Sequence, residues 1–140
     1  QASVVRTTGN PYAHIVLRGG RRPNYDSCSI REALDMLRAK ERTEALVVDC
    51  SHSNSRKRFK EQGVAWKDVI QQRVGGNQAI VGLMLESNLH EGSQKNTGNL
   101  KTLAYGVSIT DACIGWDDTL VVLDQLADAV RKRRAAIAVR

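Results

Sequence analysis

Apolar residues fall along this chain in three short, dense runs separated by longer segments of helical period. The runs are "HIVLRGG" (14–20), "ALVVDCSH" (45–52) and "AIVGLMLES" (79–87). Each is rich in Val, Ile and Leu and ends in Gly, Ser or a charge, which is how strands buried on both faces read. Between the first two, Ile30, Leu34 and Leu37 of "SIREALDMLRAKER" (29–42) recur at helical spacing, with Ser29 and Glu32 as a capping box. Between the second and third, residues 55–74 carry Phe59, Val64, Trp66, Val69, Ile70 and Val74, and stop at Gly75 and Gly76. Gly63 leaves open one broken helix or two short ones there. The tail "WDDTLVVLDQLADAVRKRRA" predicts a helix with Leu120, Leu123, Leu126, Ala127 and Val130 as its stripe and Asp117 or Asp118 as N-cap. Strands alternating with helices imply parallel pairing with right-handed crossovers, so the fold class is α/β. Residues 87–110 hold no sustained period, and a loop that long is expected to be functional.

Composition narrows the function classes. At 140 residues, with 41% hydrophobic and 26% charged, the chain suits one compact domain. No apolar run reaches the length of a membrane span, and no charged-then-apolar leader is read. The chain starts at Gln1 without a methionine, so the expectation is a piece cut from a longer protein. A net charge of +6 invites anionic partners. The basic residues are scattered, however, apart from "SRKRFK" (55–60) and "RKRR" (131–134), and no aromatic residues interleave as a base-stacking platform. Neither nucleic acid nor membrane is the expected partner. Cys28, Cys50 and Cys113 form neither a disulfide framework nor a metal knuckle, which suggests a reducing, cytoplasmic setting.

Candidate chemistry gathers at the ends of the three runs. Equal sequence intervals separate Arg18, His52 and Glu86, each at the C-terminal end of a run. Period two puts Val16 with Arg18, Val48 with Cys50 and His52, and Gly82 with Met84 and Glu86. Alone, each has a plainer reading: a structural histidine, or the first solvated residue after a strand. In equivalent positions of successive units they suggest one site, as a parallel barrel or a doubly wound sheet would build. His and Glu suit a borderline divalent metal such as Mn, Fe, Co or Zn. Arg18, before Gly19 and Gly20, suits a planar fork on phosphate or carboxylate. Together they point to an anionic, phosphorylated substrate activated by a Lewis acid.

The same residues carry a family resemblance. "HIVLRGG", "DCSHSNS", "GLMLES", "EGSQ", "LAYGVSITDACIGWDDT" and the closing helix resemble the C-terminal part of type I 3-deoxy-D-arabino-heptulosonate 7-phosphate (DAHP) synthases, the kind regulated by aromatic amino acids. The likeness runs over roughly residues 8 to 135. It implies that residues 1–140 are the C-terminal portion of a single TIM (β/α)8 barrel: the last three βα units, with the first five strands absent. It implies condensation of phosphoenolpyruvate with erythrose 4-phosphate, releasing phosphate, at the entry to the shikimate pathway. It also implies a required divalent metal and a cytoplasmic homo-oligomer, dimer or tetramer. Arg18 matches the arginine that binds phosphoenolpyruvate. His52 matches a metal ligand lying close to that substrate, and Glu86 and Asp111 match the other two ligands present. The family's cysteine ligand and further phosphate-binding Arg and Lys residues lie in the missing strands, so the chain alone is expected to be inactive. Cys50 is read as a buried core residue facing the barrel interior below His52, Cys113 as near the site, and Cys28 as structural or exposed. The rival readings are a non-catalytic assembly module with an open sheet edge, and a basic nucleic-acid binder.

Overall fold

The computed structural model describes residues 2–138. Its elements follow the expected order: β1 (Ile15–Leu17), α1 (Ser27–Ala39), β2 (Leu46–Asp49), a tight helical turn (Phe59–Glu61) running into α2 (Gln62–Val74), β3 (Ile80–Met84), a long loop with a short turn at Leu100–Thr102, and α3 (Trp116–Ala138). The strands form a parallel sheet in the order β1-β2-β3. Register aligns Leu17 with Val48 and Val48 with Leu83, and on the opposite face Val16 with Val47 and Val47 with Gly82. Among the described residues, no helix is long and apolar enough to cross a membrane.

The helices cover one face of the sheet. Ile30 and Ala33 of α1, Val69 of α2 and the strand residues Leu46, Val48 and Ile80 form one buried cluster, with Ile15, Leu17, Leu34, Leu37 and Leu83 packed against it. A second cluster joins Cys50, Ala65, Trp66, Ile114 and Val122, tying α2 to α3. The other sheet face differs from the expectation of strands buried on both sides. Val16 is 43% and Met84 47% exposed there, because no described element lies over them.

Helix boundaries carry three corrections. The N-cap of α1 is Asp26, whose carboxylate accepts from the N–H groups of Cys28 (3.1 Å) and Ser29 (3.0 Å) and from the Ser29 hydroxyl (2.7 Å). Ser29 is therefore inside the first turn, not the cap of a box with Glu32. The Ser29 hydrogen bonds hold the Asp26 carboxyl below its ordinary range, as suits an anion at a helix start. Likewise Asp117 and Asp118 lie in the first turn of α3 instead of capping it. Gly63 does not break α2; the change from tight turn to α-helix comes at Glu61 and Gln62. The stripe of α3 is also displaced. Thr119, Val122 and Ala129 are buried and Leu126 packs on α2, whereas Leu120, Leu123 and Val130 are exposed. Apolar residues surround this helix, so sequence spacing alone did not select the face that packs.

Candidate metal and anion site

The structure brings the four sequence-derived residues into one cavity of ≈ 290 Å³, lined by Arg18, His52, Glu86 and Asp111 together with Lys57 and Gln62. His52 Nε2 lies 3.6 Å from Glu86 Oε1 and 3.7 Å from Asp111 Oδ2. One ligand atom from each of the three residues lies within 4.8 Å of the others. Ligands at about 2.1 Å around a tetrahedral ion stand roughly 3.4 Å apart. An imidazole nitrogen and two carboxylate oxygens at these spacings therefore fit a borderline divalent cation.

The route to this arrangement differs from period two. β2 ends at Asp49, and the chain enters a turn in which His52, Arg56 and Lys57 all have positive φ (50°, 52° and 58°). His52 reaches the cavity from that turn, not from a strand position. Left-handed backbone at several non-glycine residues is costly and persists where its surroundings over-determine it. Here the His52 carbonyl accepts from the Lys57 N–H (2.8 Å) and the Ser55 hydroxyl (3.1 Å). Cys50 is corrected as well. It is fully buried as expected, but on the helix side with Trp66 and Ile114, away from the open face. Burial, helped by the Asp49 charge, pushes its thiol up to about 12. Cys113 is buried and its Sγ donates to the Asp111 carbonyl at 3.6 Å, so it braces the loop near the site. Cys28 is exposed.

Several positioning residues were not anticipated. Asn54, buried, donates from Nδ2 to the carbonyls of Leu17 (3.0 Å) and Asp49 (2.8 Å) and accepts from the Asn24 N–H (2.8 Å). It thereby ties the ends of β1 and β2 together beside Arg18. Gly19, at φ +76°, sits so close to the same turn that a Cβ would lie 2.7 Å from Ser53 Cβ; close approach, not flexibility, explains this glycine. Gln62, with no exposed surface, clamps the Glu86 backbone by accepting from its N–H (2.9 Å) and donating to its carbonyl (3.1 Å). No sequence signal marked Gln62, since the backbone it clamps lies 24 residues further along the chain. Asp49, also buried, contacts His52 Nδ1 at 2.8 Å.

The residues between 87 and 115 are pinned, not structureless. Bridges join Ser87 to Ile114, Gly92 to Cys113 and Ser93 to Ser108, and Asp111, within the bridged segment, lies beside Glu86 and His52. Burial raises the Glu86 carboxyl above its ordinary value; His52 opposes the rise, and Asp111 and Asp49 add to it. A pocket that holds carboxylates so close together favours a cation among them. Of the basic run 55–60, Lys57 lines the cavity, while Arg58 pairs with Glu61 (2.8 Å) and Lys60 with Glu91 (3.1 Å).

Known proteins resemble this chain in sequence and in fold. Over 133 residues, and 95% of this chain, the sequence is 47% identical to the Phe-sensitive phospho-2-dehydro-3-deoxyheptonate aldolase of Escherichia coli strain K12. Over the same length it is 46% identical to the Trp-sensitive enzyme of that strain. The solved phospho-2-dehydro-3-deoxyheptonate aldolase of Francisella tularensis SCHU S4 superposes with a TM-score of 0.84 at 36% identity, over 91% of this chain and 37% of that one. The chain spans 38% of the length of the two curated relatives. The sequence profile of the DAHP synthetase I family matches residues 1–124, and the chain belongs to that family.

Proposed function

We propose that this chain supplies the metal-binding and anion-gripping part of the active site of a 3-deoxy-7-phosphoheptulonate synthase. In this reading phosphoenolpyruvate, erythrose 4-phosphate and water yield the seven-carbon sugar phosphate and inorganic phosphate. The observation that carries it is the convergence of His52, Glu86 and Asp111 in a cavity that Arg18 also lines. Residues 1–140 then form the last three βα units of a (β/α)8 barrel. The parallel order β1-β2-β3 with helices on one face supports this, as does an apolar opposite face of the kind a barrel interior fills. The reading extends to a cytoplasmic homo-oligomer, dimer or tetramer.

His52, Glu86 and Asp111 would hold the metal: Mn, Fe, Co or Zn. When bound there, the ion supplies a Lewis acid for the aldehyde oxygen of erythrose 4-phosphate. Arg18 grips an anionic group of phosphoenolpyruvate with two parallel N–H donors, fixing the enol ester so that its C3 faces the aldehyde carbon. Lys57, on the same cavity wall, adds a second cation for phosphate. The Gln62 clamp on the Glu86 backbone and the Asn54 tie beside Arg18 keep both halves of the site in register.

The test is phosphoenolpyruvate consumption with erythrose 4-phosphate and Mn²⁺, with and without chelator, for this chain and for a chain of the relatives' full length that contains it. Chelator-sensitive consumption by the longer chain is expected; consumption by neither overturns the reading. In the active form Arg18→Lys should raise the KM for phosphoenolpyruvate, because a point charge does not reproduce the bidentate fork. An unchanged KM removes Arg18 from the substrate site.

A further inference from the structure

His52 has one ring nitrogen on each side of a division in the site. Nε2 faces Glu86 and Asp111, and Nδ1 faces Asp49 Oδ2 and the Ser51 hydroxyl, both at 2.8 Å. A neutral imidazole carries its proton on only one nitrogen, so the partners of Nδ1 decide whether Nε2 keeps a lone pair. Those partners are settled by their own bonds. Asp49 is 3% exposed, and its Oδ1 accepts from the Ser51 N–H (2.9 Å) and the Ser51 hydroxyl (2.5 Å). The Ser51 proton is thus committed to Asp49, and its oxygen offers Nδ1 a lone pair. Asp49 Oδ2 is a carboxylate oxygen with nothing to donate. Both neighbours accept, so Nδ1 must be the donor.

We propose that Asp49 is the positioning residue that holds His52 as its Nδ1–H tautomer and so leaves Nε2 free to bind the metal. The proposal rests on the reading of His52, Glu86 and Asp111 as a metal site. Carboxylates behind ligating imidazoles serve elsewhere to fix ring orientation and raise ligand basicity. Here the carboxylate is buried three residues before its histidine, and the chain leaves the strand after Asp49 to reach His52 at φ 50°, which brings the two side chains together. No strand pairing could do this, since Asp49 and His52 would project to opposite faces of a continuous strand.

Asp49→Asn tests the proposal with little change in shape. The two Ser51 donors require an acceptor at the Oδ1 position, so the carboxamide oxygen settles there. Its NH2 group then occupies the place of Oδ2 and points at Nδ1. His52 must accept from it, and the ring proton moves to Nε2, where the metal should bind. An amide in place of such a carboxylate leaves geometry intact and reverses the tautomer. The ring ¹⁵N shifts of His52, assigned with His52→Ala and recorded at mildly alkaline pH, read this without any metal. Zinc affinity by competition with a chelating dye reads its consequence. The expected results are an Nδ1–H tautomer in the unaltered chain, an Nε2–H tautomer in Asp49→Asn, and a ten- to hundredfold loss of zinc affinity in that variant. An Nε2–H tautomer in the unaltered chain overturns the proposal, even if Asp49→Asn fails to fold. So does a folded Asp49→Asn with tautomer and zinc affinity unchanged. An unaltered chain that binds no zinc overturns the metal reading instead, while its tautomer still decides the role of Asp49.

Discussion

Two loops bring the candidate ligands together, and they are built on different plans. The loop after β2, residues 50–58, is short and internally saturated. Ser51, Asn54 and Ser55 are all buried, and each spends its polar atoms on backbone, on Asp49 or on the His52 ring. The loop after β3 is three times as long in outline and holds itself by backbone bridges near its ends. Asp111 rides on that second loop with its side chain 70% exposed, against 28% for His52 and for Glu86. Burial and saturation fix a side chain before any ligand arrives, whereas an exposed carboxylate on a long loop is ordered by what it binds. The site is therefore rigid on the histidine side and adjustable on the Asp111 side.

Metal binding gives the largest contrast. His52→Ala and Glu86→Ala should abolish it, since both remove donors from the preorganised half, and neither should unfold the chain. Asp111→Ala should weaken it measurably without abolishing it. Isothermal titration with Mn²⁺ checks all three, and equal losses would mean the two halves are equally preorganised.

Stability should split the same way. Asn54→Ala removes three hydrogen bonds of a 4% exposed side chain and strands their partners, for a loss of about 3 kcal/mol in urea unfolding. Gln94, in the other loop, also makes three bonds, to Ala104 and Val107, but two of them lie at the exposed surface. Gln94→Ala should cost about 1 kcal/mol. Comparable costs would erase the distinction between the loops.

How much of this was legible in the sequence depends on what each feature rests on. The strands and α1 announced themselves because a buried parallel strand needs an unbroken Val, Ile and Leu run, and a packed helix needs a stripe. Arg18, His52 and Glu86, grouped from their spacing, line one cavity, yet the period-two reason for His52 was wrong. Strand pairing stops at Asp49, and His52 enters the cavity from a turn in which its own backbone is left-handed. That turn holds no glycine, so nothing in its residue types signalled positive φ. Asn54, Gln62 and Asp49 were silent because their partners are backbone groups or ring atoms brought near only by folding. Asp111 came from resemblance alone. The face of α3 was misjudged because apolar residues line more than one side of it, and Val122 beat Leu120 and Leu123 for the contact with α2.

A smaller difference should appear at two glycines. Gly19→Ala would place a Cβ 2.7 Å from Ser53 Cβ and 2.9 Å from the Asn54 nitrogen, on a backbone at φ +76°. Gly92 in the longer loop has φ +88° but nothing within 4 Å of its would-be Cβ. Its alanine should cost only the left-handed penalty of about 1 kcal/mol, and Gly19→Ala about 1 kcal/mol more. Thermal unfolding of the two variants side by side measures the gap, and equal midpoints would show that the Ser53 turn yields freely.

The smallest effect concerns the two buried thiols, one in each loop, and shows only in alkali. Burial raises both, Cys50 up to about 12 from an ordinary value of 9.0, while a hydrogen bond involving Ser108 works against the rise at Cys113. A thiol raised by folding keeps its proton in the folded chain after the unfolded chain has lost it. The folded state then binds more protons, so the stability this group contributes is whole below pH 9 and is lost as pH climbs towards 12. Urea unfolding at rising pH should show that decline, and Cys50→Ala should flatten it more than Cys113→Ala does. The Cys50 thiol sits beneath the saturated loop, fully buried in one cluster with Trp66 and Ile114, whereas Cys113 is 9% exposed. A steeper contribution from Cys113 would reverse the order of the two loops, making the Asp111 side the drier and more firmly closed of the pair.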